Sequence, residues 1–158
     1  MMDEQARSIW EAAEIERPDA AVTIVRAEEA RTEQYRTILP RRDGKGWRMA
    51  RIEAEPWRRE LVHPEVLPGA GLHLSVVTLP PGYRDGAHWH VMGEKVMYVT
   101  EGKGVIASGR DLEREDPVGA GDVVHVPPYA VHAPRNDGEE PFTFVMVANA
   151  PMDVTVAG

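Results

Sequence analysis

Between Leu72 and Ala148 the chain is cut into five short apolar runs with no helical period between them. Leu72 to Leu79, Lys95 to Thr100, Val105 to Ala107, Asp122 to Val126 and Phe142 to Ala148 are rich in Val, Leu, Met and aromatic residues. Their separators are Pro80-Pro81-Gly82, Glu101-Gly102-Lys103-Gly104, Gly119-Ala120-Gly121-Asp122, Pro127-Pro128 and Asn136-Asp137-Gly138. Branched and aromatic side chains suit a pleated, half-buried surface, and Pro and Gly end it in turns. Strands this short, without helices to carry crossovers, pair antiparallel in a sandwich or barrel. The 13 Pro and 14 Gly of the 158 residues favour the same turn-rich, mainly β fold.

The front of the chain reads differently. Ala6, Ile9, Trp10 and Ala13 recur at helical spacing behind Asp3, a good N-cap, and Pro18 stops them, so a short amphipathic helix is expected over residues 1–18. Val22 to Val25 is a β-branched run. Arg26 to Arg36 reads as a solvated charged face, for which a helix with mixed pairs is one form, and carries no functional assignment. Arg41 to Gly46 signals a turn before a strand at Trp47 to Ile52, and Pro56, Pro64 and Pro68 mark loops. This divides the chain into the helix (1–18), leading strands and loops that pack on a barrel (19–70), and the barrel core (71–158).

Composition removes several functions. There is no Cys, hence no disulfide, thiolate metal site or cysteine nucleophile. A formal net charge of -8 disfavours a nucleic-acid partner, which needs concentrated basic surface. No stretch approaches the ~18 consecutive apolar residues of a membrane span, and Asp3 and Glu4 make the start acidic where a secretion signal is basic. A cytoplasmic protein without membrane attachment is expected.

Five of the six histidines (His73, His88, His90, His125 and His132) lie in the strand-rich part. His88 and His90 stand at i and i+2, so in an extended chain both imidazoles project to one side, about 7 Å apart along the strand. Glu94 follows four residues later, far enough to bring a carboxylate back, and His132 lies where an adjacent strand can place it beside them. Three imidazoles and a carboxylate suit divalent Fe, Mn, Ni, Cu or Zn, and the donor types do not choose among these. Four protein ligands leave two positions of a six-coordinate ion open, the mark of a catalytic rather than a closed structural site.

At these residues the chain resembles the cupin superfamily. The first motif of that family, Gly, five residues, His-x-His, three or four residues, Glu, six residues, Gly, is matched by Gly82, His88, His90, Glu94 and Gly102. The second, Gly, five residues, Pro-x-Gly, two residues, His, three residues, Asn, is matched by Gly121, Pro127, His132 and Asn136. The resemblance covers Gly71 to Ala148 and implies a double-stranded β-helix, or jelly-roll barrel. It departs at two points. Tyr129 replaces the glycine of the second motif, and seven residues rather than six separate Glu94 from Gly102. Counted backward from Gly102, Lys95 takes the place of the acidic ligand. A bulge after Glu94 would reconcile the counts. Because lysine is protonated near neutral pH, Glu94 is taken with His88, His90 and His132 as the metal set.

The resemblance implies a metal-dependent enzyme, and oxygenation of a small aromatic or enolic substrate is the leading expectation, with iron the favoured ion. The alternatives are metal-dependent chemistry without dioxygen (decarboxylation, isomerisation or a lyase reaction) and a non-catalytic small-molecule binder. His125 or Tyr129 is the candidate for moving a proton. His73, Arg84, Met97, Tyr98 and Phe144 are candidate pocket residues, Arg84 as a partner for a substrate carboxylate. Family members commonly pair, so a homodimer is expected.

Overall fold

The computed structural model describes residues 23–29, 31–33, 36–40, 47–51, 57–150 and 155–157. The helix expected over 1–18 lies outside them. The described residues form a 3-10 turn at Ala27–Glu29 and thirteen strands: β1 Arg31–Glu33, β2 Arg36–Pro40, β3 Trp47–Arg51, β4 Trp57–Val62, β5 His73–Leu79, β6 His88–His90, β7 Lys95–Glu101, β8 Lys103–Ser108, β9 Arg114–Gly119, β10 Val123–Val126, β11 His132–Arg135, β12 Phe142–Ala148 and β13 Thr155–Ala157. A six-stranded sheet runs β1-β4-β5-β12-β7-β10 and a seven-stranded sheet β3-β2-β13-β6-β11-β8-β9. The pairings are antiparallel except that of β13 with β2. The protein is therefore mainly β, as expected. No helix among the described residues is long and apolar enough to cross a membrane.

All five apolar runs are strands, and their bounds shift by at most two residues. The front of the chain corrects the sequence reading: within the charged stretch from Arg26 to Arg36 the described residues form no α-helix but a 3-10 turn, then β1 and the first residue of β2. Three further strands were not expected, β4, β9 and β13. Strand β9 contains Pro117, which has no amide hydrogen to give. It is tolerated because β9 is the edge of its sheet, bonded only to β8.

Strand alternation builds the interior. Strands β5 and β12 alternate buried and half-buried residues along their whole length, and β7 does the same between buried and exposed as far as Val99. Val77, Leu79, Met97, Val99, Phe142, Phe144 and Met146 meet Ile106 and Val126 in one hydrophobic core. Burying a side chain of this kind stabilises by about 1.5–3 kcal/mol. The Phe142 and Phe144 rings add an inclined contact at 5.3 Å between centroids.

Along the inner face of the six-stranded sheet the chemistry changes from hydrocarbon to polar. On β5 it runs Leu79, Val77, Ser75, His73, and on β7 it runs Val99, Met97, Lys95. His73 and Lys95 are both registered opposite Ala148, one from each side, so they stand in the same row across the sheet. The functional site is built at this polar end.

Candidate metal centre

Three imidazoles converge from two strands of the facing sheet. His88 and His90 share one face of β6, and β11 pairs with β6 so that His132 is registered directly opposite His88. All three are 5% exposed or less. Their ring centroids are 4.3 to 5.1 Å apart, and one nitrogen from each falls within 4.8 Å of the others.

Hydrogen bonds set which nitrogen faces inward. His88 Nδ1 donates to the Gly86 carbonyl at 2.8 Å and His132 Nδ1 donates to the Ala130 carbonyl at 2.9 Å. With the proton held at Nδ1, Nε2 keeps its lone pair for an ion, the usual arrangement of a metal-binding histidine. Burial, with the charges of His88, His90 and Lys95, pushes His132 down to about 3, although its bond to Ala130 acts the other way, so the imidazole is neutral near pH 7. The spacing fits as well. Two nitrogens held ~2.0–2.1 Å from one ion stand roughly 3.0–3.4 Å apart, and His90 Nε2 and His132 Nε2 are 3.3 Å apart. A single divalent transition ion fits this donor set.

Glu94 is the correction. Its carboxylate is not in the group. Half its side chain is exposed, and it accepts a hydrogen bond from His125 Nε2 at 2.7 Å. The two residues read from sequence as ligand and proton carrier thus bind each other outside the centre. The inward position belongs to Lys95, 2% exposed. The reason is register. Phe144 pairs with Val99 and Thr143 with Glu101, so Thr100 is the unpaired residue and the extra position is taken up at the far end of β7. From Lys95 to Val99 the pleat is unbroken, which turns Lys95, Met97 and Val99 inward. A bulge after Glu94 would have done the reverse.

The other candidates scatter. Met97 and Phe144 belong to the hydrophobic core, and Tyr98 is 48% exposed on the outer face of β7. Arg84 is exposed and paired with Asp137 at 2.6 Å. His73, wholly buried, bonds Glu60 at 2.5 Å, and Glu60 in turn takes Arg58 Nε at 2.6 Å. Tyr129 is 66% exposed and has φ of 64°, the left-handed region its family's glycine would occupy freely. Its amide donates to the His90 carbonyl at 2.9 Å, tying the second motif to β6. A cleft of about 760 Å³, walled by Ile106, Val124, His125, Tyr129 and His132, reaches the centre at His132. That size suits a small molecule.

Sequence reasoning missed Arg58, Glu60 and Asp85. The Asp85 carboxylate lies 3.8 Å from His88 Nδ1. Burial lifts its pKa, against the pull of His88, the Gly86 amide and Arg58. Nothing in the local pattern distinguishes Arg58 and Glu60 from surface charges, because the buried His73 that they meet stands on the next strand.

A jelly-roll of two sheets with three inward imidazoles defines a class of metal-binding barrels. The family model described as "Cupin domain" matches residues 75–148. The chain is 30% identical over 93 residues to an uncharacterised protein of Methanocaldococcus jannaschii, covering 59% of this chain and 72% of that one. It belongs to the cupin superfamily. Among solved structures, an uncharacterised conserved Klebsiella pneumoniae protein with a double-stranded β-helix domain aligns with a TM-score of 0.57 at 24% identity. That alignment covers 69% of this chain and 89% of the other. Bacillus subtilis oxalate decarboxylase, described with Mn(II) centres, aligns with a TM-score of 0.59 at 26% identity, covering 67% of this chain but only 29% of its own length.

Proposed function

We propose that the protein is a mononuclear metal-dependent enzyme, a dioxygenase acting on a small enolic or aromatic substrate that binds the ion directly. The observation that carries this reading is the convergence of three buried imidazoles with, among the described residues, no carboxylate joining them. Three protein donors leave half of a six-coordinate shell for other ligands, enough for a two-point substrate and one small molecule. When bound there, a divalent ion supplies Lewis acidity and, if it is iron, redox contact with dioxygen.

The chain's own residues do the rest. Gly86 and Ala130 carbonyls hold the His88 and His132 rings in the tautomer that presents Nε2. The hydrophobic core of Val77, Val99, Phe144 and Met146 closes one end of the barrel and keeps water from that side. The cleft beside His132 and Tyr129 gives a substrate its approach.

Metal analysis of protein purified without added ions, followed by an oxygen-uptake screen, tests this. Uptake with iron but not with zinc, lost in His132→Ala, is the expected result; full activity in metal-stripped protein would falsify it. The likeness to oxalate decarboxylase favours a second reading, carbon–carbon bond cleavage without net oxidation, for which turnover persists under anaerobic conditions. Tight ligand retention with no turnover in either atmosphere would instead mark a binding protein.

A further inference from the structure

We propose that the cleft beside His132 takes a ligand with two unlike ends, an oxygen-bearing head that meets the ion and a hydrocarbon tail that lies along Val118 and Val124. It rests on the reading that His88, His90 and His132 hold a divalent ion, and adds the class of substrate: an amphiphile rather than a small diacid.

The register of three strands gives the cleft its direction. His132 on β11 is paired with Ser108 on β8, and Ser108 with Arg114 on β9, so the three stand in one row. Directly paired residues share a face of the sheet, and alternate residues along a strand keep to it. Asp116, paired with Ile106, and Val118, paired with Gly104, therefore follow Arg114 on the face of His132. Four residues of strand carry this wall about 13 Å from the row of His132 to Val118. Strand β10, an edge of the other sheet, adds Val124 and Val126 to the lining.

The lining changes along this path. At the row of His132 it is polar, with Ser108 and Arg114. Elsewhere it offers hydrocarbon: Ile106 and Val126 belong to the core, while Val118 and Val124 pack against that core yet are only partly buried. These two valines keep apolar surface in water, and a tail laid on them removes it. Charge makes no rival claim on the tail. Arg110 and Arg114 share the lining with Glu113 and Asp116, and Asp116 is ion-paired with Arg114 at 2.7 Å. Size points the same way, because a cleft of about 760 Å³ has room for a drug-sized molecule and a two-carbon diacid would leave most of it empty.

Alkyl hydroxamates are the probes, since each carries the same two-oxygen chelating head and only the tail grows. Cobalt(II) is the probe metal. Equilibrium dialysis counts cobalt per chain, and the visible spectrum of bound cobalt follows titration with aceto-, butano- and hexanohydroxamate. Wild type is expected to gain about threefold in affinity for each added methylene, whereas aqueous cobalt binds all three alike. Val118→Asp, which sets a charge on the path of the tail, is expected to flatten the series. Equal affinity of wild type for the three probes overturns the proposal, and that comparison holds even if the variant fails to fold. An undiminished rise in cobalt-loaded Val118→Asp overturns it equally, because the tail then rests elsewhere. Absence of cobalt from wild type, with His90→Ala no different, overturns the functional reading beneath it, and dialysis reports this before any ligand is added.

Discussion

Tyr129 pays for its place in the barrel with backbone strain. A non-glycine residue in the left-handed region loses about 1–2 kcal/mol, and the exposed ring returns little burial in exchange. Tyr129→Gly should therefore raise stability by about 1 kcal/mol, read as a higher urea midpoint with unchanged slope. A lower midpoint would mean that the ring contributes packing on the cleft wall. Glu60 makes the opposite kind of contribution. Burial alone would raise its carboxyl, but the His73 hydrogen bond and the charges of Arg58 and His73 outweigh it and hold the pKa below the ordinary 4.5. A carboxyl depressed in the folded state stabilises fully above its unfolded pKa, and the contribution disappears as pH falls through the folded value. Urea midpoints measured from about pH 7 to 3 should fall more steeply in wild type than in Glu60→Gln, which starts less stable. Parallel profiles would show that other groups govern acid unfolding.

At the scale of elements, the loops that hold the histidine strands depend on a few saturated polar residues. Asn136 is wholly buried, and its side chain meets three backbone groups: Nδ2 donates to the Leu79 and Glu140 carbonyls at 3.0 and 2.8 Å, and Oδ1 accepts from the Gly138 amide at 2.9 Å. Asn136→Ala strands these groups, the Leu79 carbonyl in the interior, and should cost roughly 2–4 kcal/mol by chemical denaturation. A loss under about 0.5 kcal/mol would show that water replaces the amide. Gly102 has φ of 76° where β7 turns into β8, and a Cβ there would collide with the Pro141 carbonyl. The glycine of the first motif is thus fixed by a close backbone approach as well as by its angle.

For the molecule as a whole, an ion that binds only the folded chain must raise its melting temperature. At a free concentration of about 100 times its Kd the gain is about 2.7 kcal/mol, several degrees for a chain of this size. Scanning calorimetry with and without cobalt or manganese should show that shift in wild type and none in His90→Ala. An equal shift in both would place the ion elsewhere. Much of this barrel was legible because its five apolar runs alternate between hydrocarbon and solvent, and because His88 and His90 need only strand geometry to face one way. Strand β4 was illegible for the inverse reason: Arg58 and Glu60 point inward, and only the distant His73 reveals that charge belongs there. Strand β9 hid behind Pro117 and its charges, which an edge permits. The one residue misplaced at the centre turns on Thr100, five positions past Lys95.

That leftover threonine makes the electrical character of the centre a question of parity. Adding or removing one amino acid within a pleated segment exchanges which neighbour looks at the ion, while every individual letter stays the same. Relatives aligned on their histidines would put Glu94 in the acidic column, and the same relatives aligned on Gly102 would put Lys95 there. Evolution could therefore invert the polarity of such a pocket by a single-codon slip, leaving no substitution at the ligand position to betray it.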